Sequence, residues 1–367
     1  MNHISTLQRS LKPYFTLSYY RLECLCQIII ALLATNDVNL CKIARAFSSD
    51  AKLDSTYKRL QRFMKGLNFS FHELTKLIVN MFPLPGKLNL AIDRTNWKFG
   101  KENINILTAG IVYKGIAIPF LWACLPKRGN SNSAERISFM ETLLTLIPKE
   151  KISTLLADRE FIGKAWLPWL VVNNIPFVVR VKENICAANA KGMFIPLKVM
   201  LRGIKPGKTV ILPKKRLIMG CKLYIIATRL DSGELLIVLT NESPELALER
   251  YATRWEIETL FSALKKRGFN FENTHLSKPA RISNLMFVLS LAFIWAYRQG
   301  EMINDNKKIQ IKKHGYPAKS IFRIGLEYLA KKLFNLITTM TVFCIELRAL
   351  FRPHDANNHK TLKGGVL

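Results

Sequence analysis

Three acidic residues lie far apart in the chain, each in a setting that suits chemistry. Asp93 closes the apolar run Leu88 to Asp93 in AIDRTNW, and Asp158 closes the run Ile152 to Asp158 in LLADREF. If these runs are neighbouring strands, both carboxylates converge at one sheet edge. Adjacent carboxylates repel, and a divalent cation relieves that cost. Oxygen ligands of this kind suit magnesium or manganese, which leave positions open for water and phosphate. Taken singly, each aspartate is explained as well by a turn or a helix cap. The third acid sits in YATRWEIETLFSALKKRGF, which holds Tyr251, Arg254, Glu258 and Lys265. Read as one helix at about 100° per residue, these four fall within about 60° of one face. Glu258 can then reach a metal, while Arg254 and Lys265 can hold phosphates. Ile257, Leu260, Phe261 and Leu264 form a neighbouring apolar face suited to docking on a sheet. Glu256 points roughly 160° away and is expected in solvent. The plainer reading of the helix is an ordinary Arg–Glu pair at i,i+4 spacing, which contributes little.

The spacing of Tyr251, Arg254, Glu258 and Lys265 resembles the Tyr-Arg-Glu-Lys motif of the bacterial IS-four family of DDE transposases. DRTNW around Asp93, DREF around Asp158 and KRGNSNSAER from Lys127 to Arg136 share the resemblance, which runs from Leu88 to about Leu329. It implies that Asp93, Asp158 and Glu258 are the catalytic and metal-binding triad, holding two Mg2+ (or Mn2+) ions per site. It implies that Tyr251, Arg254 and Lys265 contact DNA phosphates near the cut. The activity implied is that of a transposase that binds element ends, cleaves DNA strands and joins 3′ ends to target DNA by two-metal-ion phosphoryl transfer. The partners implied are double-stranded DNA and a second copy in a synaptic dimer. Some hairpin-forming relatives carry a tryptophan on a strand before the Glu258 helix; Leu236 stands near that place here. Two alternatives share the same residues: a DNA nuclease that cuts without joining, and a non-catalytic transposase-derived DNA-binding protein.

These residues need elements to position them. Leu88–Asp93, Ile104–Tyr113 and Ile116–Leu121 read as strands, the last two joined at Lys114-Gly115. A helix over Ser133–Leu146, a strand over Ile152–Asp158, a helix over Phe161–Val172 and a strand over Pro176–Val181 follow. Antiparallel strands followed by alternating units imply a mixed sheet covered by helices. That order matches a ribonuclease-H-like α/β fold with helices on both faces, by analogy of fold alone. The expected organisation is a helical DNA-binding region over 1–85 and the first part of the catalytic core over 86–182. A β-rich insertion over 183–243 separates it from the second part of the core over 244–350, whose Glu258 helix runs from near Pro244 to Arg267. A basic tail over 351–367 ends the chain. The break at Phe82-Pro83-Leu84-Pro85-Gly86 separates the helical region from the core. Within the helical region, Leu40–Phe47 and a helix capped by Asp54 or Ser55 and running through Met64 read as a helix-turn-helix. Arg59 and Arg62 on its second helix are candidate DNA contacts; a plain helical bundle with a basic face is the equal alternative.

The composition agrees with a polyanion partner. Lys and Arg number 55 against 26 Asp and Glu, for a formal charge of +29, which speeds encounter with nucleic acid. Charge alone also fits a protein that merely adheres to acidic surfaces. The seven cysteines are scattered with no CxxC pair, which argues against a disulfide framework or a zinc site. No secretory signal is read at the start. The apolar run Leu285–Tyr297 is shorter than the roughly 20 residues a membrane span needs. The expected setting is cytoplasmic and nucleoid-associated, with no membrane contact.

Overall fold

The computed structural model describes residues 3–313, 315, 317–334, 345, 346 and 348–350, so the basic tail lies outside the described residues. The chain opens with α1 (His3–Leu11), α2 (Tyr19–Thr35), α3 (Leu40–Arg45), α4 (Leu53–Gly66) and α5 (Phe71–Met81). It continues through β1 (Leu88–Phe99), β2 (Glu102–Tyr113), β3 (Ile116–Cys124), α6 (Ser133–Leu146), β4 (Ile152–Ala157), α7 (Trp166–Val172) and β5 (Phe177–Val181). Next come β6 (Cys186–Ala188), β7 (Phe194–Pro196), α8 (Leu197–Met200), β8 (Thr209–Ile211), β9 (Arg216–Ile218), β10 (Cys221–Arg229) and β11 (Leu235–Thr240). The remaining elements are α9 (Ala247–Ala252), α10 (Trp255–Leu264), α11 (Pro279–Asn306) and α12 (Ile321–Phe334). Two compact units result, one of Pro85–Ser262 and one of Met1–Leu84 with Ala263–Leu367. The first boundary falls inside the proline-rich break, where the missing N–H groups and fixed φ of proline end both helix and sheet.

In the unit Pro85–Ser262, strands among the described residues form one sheet in the order β3-β2-β1-β4-β5-β11-β10-β8, with β9 pairing β10. β1, β2 and β3 are antiparallel neighbours, and β4 and β5 run parallel to β1. This is the mixed, ribonuclease-H-like α/β sheet. Strand β1 does not stop at Asp93 as expected; it continues to Phe99 in a long ribbon with β2. Its extension, TNWKF, is rich in β-branched and aromatic residues, and each residue has a partner in register on β2. The segment expected as an insertion is β-rich, but β11, β10 and β8 extend the main sheet from the β5 edge, with Val179 opposite Leu239. Only β6 and β7 form a separate ribbon. Helix α7 begins at Trp166 rather than Phe161. Helix α6 starts at the expected Ser133, closed by a reciprocal capping box between Asn132 and Glu135.

In the other unit, α11 packs against α2, α4 and α12. Residues after Ser262, expected as part of the second half of the catalytic core, cluster with the N-terminal helices. A helix apolar on every side needs burial on every side, and α11 is buried almost continuously from Asn284 to Tyr297. At 28 residues it is longer than the apolar run suggested and has the length and composition of a membrane span, yet 83% of its apolar window is buried inside the protein. A Cβ on Gly300 would meet Ile321 O at 1.9 Å, and one on Gly325 would meet Ala296 O at 1.8 Å. The α11 and α12 backbones therefore cross at a distance only glycine permits. Asn284 Nδ2 donates to Met64 O at 2.9 Å and ties α11 to the last turn of α4. Helix α4 begins at Leu53, one residue before the expected cap, and Lys52 makes no side-chain cap.

Candidate active site

The parallel pairing of β1 with β4 sets Ile92 opposite Ala157. The next residues are Asp93, still within β1, and Asp158, just past the end of β4, so the register sets the two carboxylates expected to converge at neighbouring positions. The Asp93 side chain is 13% exposed. Burial, the largest influence, pushes its carboxyl up to about 7; the Arg94 N–H and the Arg254 guanidinium pull it down, and Glu258 and Glu160 push it further up. Asp93 is thus a half-buried acid whose charged form burial disfavours, with Arg254 opposing that push.

The third carboxylate arrives by a route the helical reading did not foresee. The motif segment is two helices, α9 and α10, joined by a tight turn. Arg254 N donates to Tyr251 O at 3.0 Å and Ile257 N to Arg254 O at 3.1 Å, i to i−3 bonds that tighten the chain. Thr253 Oγ1 donates to Arg250 O at 2.8 Å, the local back-bonding that bends helices. The single face proposed for Tyr251, Arg254, Glu258 and Lys265 is therefore not formed. Lys265 follows the last residue of α10, in the helical unit, where its ammonium pairs with Glu272 at 2.7 Å.

The turn brings the other three together. Arg254 Nη1 donates to Asp93 Oδ2 at 3.0 Å and lies 3.5 Å from Glu258 Oε1, an ion-pair distance at the edge of hydrogen bonding. Tyr251 Oη donates to Asp158 Oδ1 at 3.1 Å. Burial pushes the Tyr251 phenol up to about 12, so it remains a donor at neutral pH. The Arg254 carbon Cζ stands 5.7 Å from the Tyr251 ring centroid and 6.0 Å from that of Trp255, itself 65% exposed. Arg254 Nε is buried with no hydrogen-bond partner among the described residues. Ile257, Leu260, Phe261 and Leu264, the expected docking face, are all buried.

Among the described residues, no three His, Cys, Asp or Glu side chains stand in a group close enough to hold a metal ion. Asp93 and Asp158 follow paired positions of β1 and β4, Arg254 links Asp93 to Glu258, and Tyr251 holds Asp158. The donor set still fits a hard divalent cation. It is all oxygen, and half-buried Asp93 would be favoured in its charged form by a cation beside it, as it is by Arg254.

A surrounding network went unseen in the sequence. Arg94 grips Glu160 with two bonds, Nε to Oε1 at 2.6 Å and Nη2 to Oε2 at 2.8 Å. It also donates to Asn105 Oδ1 at 2.8 Å, Gly129 O at 2.7 Å and Asn130 Oδ1 at 2.8 Å. Arg136 binds Ser131 through Oγ at 2.8 Å and through its carbonyl, and donates to Ile162 O at 2.9 Å. The three segments DRTNW, DREF and KRGNSNSAER are thus one hydrogen-bonded assembly behind the carboxylates. The available signal was the opposite charge of Arg94 and Glu160, one and two residues after adjacent aspartates. Glu256, expected in solvent, is half-buried and accepts from Tyr113 N at 2.8 Å and Gly115 N at 3.1 Å. It clasps the β2–β3 turn, where Lys114 and Gly115 both hold positive φ and leave amides facing outward.

The candidate DNA contacts on α4 divide. Arg62 is exposed, as are Lys58 and Lys65. Arg59 is half-buried, and its positive charge opposes the upward push of burial on the Cys24 thiol. Leu236, on β11 opposite Thr228, is half-buried.

Residues 85–295 match the protein family described as Transposase DDE domain. No curated protein matches the chain. Among solved structures, that of the piggyBac transposase synaptic complex with hairpin DNA is similar at 12% identity and a TM-score of 0.44, covering 96% of this chain and 83% of that one. The catalytic domain of human Endonuclease V is similar at 15% identity and a TM-score of 0.27, with 69% and 96% covered. Endonuclease V from Bacillus subtilis stands at 11% and 0.23, with 66% and 92% covered.

Proposed function

The chain belongs to the Transposase DDE domain family, and on that premise we propose that it binds the ends of a mobile element, cleaves DNA strands there and joins the 3′ ends to target DNA. The observation that carries this reading is the register Ile92–Ala157, which sets Asp93 beside Asp158, together with the Arg254 link from Asp93 to Glu258. The spacing of Tyr251, Arg254, Glu258 and Lys265 supports placing the chain in the IS-four group.

Asp93, Asp158 and Glu258 would hold divalent metal, two Mg2+ or Mn2+ ions in this reading, which when bound supply activation of a water or 3′-hydroxyl and stabilisation of the leaving oxygen. The chain's own groups do the positioning. Tyr251 fixes the Asp158 carboxylate through its hydroxyl. Arg254 orients Asp93 and Glu258, and its buried, unpartnered Nε is a spare donor for a phosphate beside them. Arg94, Glu160 and Arg136 keep the segments bearing the aspartates rigid, which matters because phosphoryl transfer relies on positioning and electrostatics. The charge of +29 favours capture of duplex DNA, and the exposed face of α4 around Arg62 reads the element end. Lys265 adds a phosphate contact. Two copies hold two ends in the synaptic complex, and the reaction takes place on the nucleoid in the cytoplasm.

The test uses purified full-length chain with labelled duplex taken from the inverted repeats flanking its gene, and a target plasmid. Nicked ends and end-to-target products in magnesium are expected. Cutting without any joined product would make the protein a nuclease instead.

A further inference from the structure

The ribbon of β6 and β7 stands apart from the main sheet, with Ala187 opposite Ile195 and Ala188 opposite Phe194. A strand sends alternate side chains to opposite faces. On one face Ala187 is buried and Ile195 half-buried, and β9 packs against β6. On the other, Cys186 and Phe194 are exposed, and Ala188 is too small to cover the Phe194 ring. Phe194 is 57% exposed and its neighbour Met193 56%. The tip that carries them is ordered in advance. Asn189 Oδ1 accepts from Lys191 N at 2.9 Å and Met193 N at 3.0 Å, Asn189 N donates to Met193 O at 2.8 Å, and Gly192 takes a φ of +81°. Positive charge accompanies the apolar pair: residues 183–230 hold ten Lys and Arg against one Glu. Lys191, Lys198 and Arg202, which bracket the pair in the chain, are exposed and make no ion pair among the described residues.

We propose that Phe194, with Met193, is a wedge that enters the minor groove of a DNA duplex between two base pairs and kinks it, while Lys191, Lys198 and Arg202 hold phosphates to either side. The chemistry matches part by part. Water disfavours a phenylalanine and a methionine exposed side by side, and partly unstacked base pairs give such side chains an apolar slot. The unpaired cations take phosphodiester oxygens whatever the sequence. A tip already held by Asn189 loses little conformational freedom on entry. Other partners fit less well. A protein interface is depleted in lysine, and a lipid surface is met by a longer apolar face than two adjacent side chains. The proposal rests on the transposase reading for its DNA partner and adds to it a duplex-bending element on β7.

The experiment mixes the full-length protein with a short duplex carrying donor and acceptor dyes at its two ends, and reads the bend by energy transfer. Affinity is compared with that for the same duplex bearing one central mismatch. Wild type should bend the duplex by about 20–90° and prefer the mismatched one roughly tenfold, because a mismatch is already partly unstacked. Phe194→Ala should lose most of the bend and the preference. Phe194→Leu keeps a wedge side chain and should still bend the duplex and prefer the mismatch, which separates loss of the wedge from loss of fold. Lys191→Gln with Lys198→Gln should flatten the salt dependence of duplex binding by about 1.8 in log–log slope, at about 0.9 per phosphate. A straight duplex with wild type, or an undiminished bend with Phe194→Ala, would overturn the wedge, and a wild type that still cuts and joins duplex ends would leave the transposase reading standing. Phe194-dependent flotation with phosphatidylserine vesicles, or Phe194-dependent self-association in sedimentation, in place of bending would make the ribbon a lipid or subunit contact and overturn the wedge as well. A wild type that binds no duplex overturns both readings.

Discussion

Arg254 Nη1 lies 3.0 Å from Asp93 Oδ2, and this one contact joins parts of the chain 161 positions apart. The guanidinium stands between Asp93 and Glu258, both acidic and one of them buried. It thereby supplies charge that the carboxylates need and holds the turn between α9 and α10 against the sheet.

The first expectation follows from the three acids. Asp93→Ala, Asp158→Ala and Glu258→Ala should each reduce strand cleavage by on the order of a hundredfold or more, with end binding in gel-shift assays within about threefold of wild type. Cleavage should vanish in chelator and return with magnesium or manganese. Calcium, which prefers more ligands at longer distances, should support binding with little cutting. Near-normal cutting by any one variant removes that residue from the triad.

Arg254 has a geometric role that charge alone does not fill. Arg254→Lys keeps a cation but loses the planar guanidinium, whose Nη1 meets both carboxylates and whose remaining N–H groups are left for a phosphate in this reading. On a pre-nicked end the variant should slow the later step more than it slows the first nick on an intact end. Equal slowing in the two time courses would assign Arg254 to the fold or to the first cut.

Glu256 makes stability depend on pH. Burial, the largest influence, raises its carboxyl from 4.5 to about 7 against the pull of two backbone N–H groups. The folded state therefore holds a proton that the unfolded state releases between these values. Stability from this group is complete below about 4.5 and lost as pH rises through about 7. Thermal unfolding should show wild type losing on the order of 1–3 kcal/mol between pH 5 and pH 8, with part of that slope absent in Glu256→Gln. Asp93 contributes a slope of the same sign, so the difference between the two proteins is the quantity to read. Parallel curves would mean that the clasp on Tyr113 and Gly115 is not titrating.

On α4, the two arginines should separate. Arg62→Ala should weaken end binding and reduce the log–log salt slope by about 0.9. Arg59→Ala, which removes a half-buried side chain, should lower the melting temperature and leave the slope unchanged. The opposite pattern would place Arg59, and not Arg62, on the DNA.

Local pattern carried much of this protein. Apolar runs flanked by turn residues were enough to find β2 to β5, because burial on a pleated sheet selects such runs whatever surrounds them. The proline-rich break after Phe82 and the start of α6 at Ser133 were legible for the same reason: proline geometry and a capping box act within a few residues. The spacing of Tyr251, Arg254 and Glu258 was visible too, as were the two aspartates. What local pattern could not contain was the pairing of distant groups. Helical periodicity favoured one long helix over 244–267, and only the i to i−3 bonds at Thr253–Arg254 break it and turn Tyr251 and Arg254 onto Asp158 and Asp93. Strand β1 runs past Asp93 because each residue of TNWKF finds a partner on β2, and no segment reveals its partner alone. Glu256 was placed in solvent by its angle on an ideal helix; the amides of Tyr113 and Gly115 that hold it lie 141 to 143 positions away. Residue types and spacing determined which chemistry this chain has available, and long-range contacts decided which oxygen faces which nitrogen.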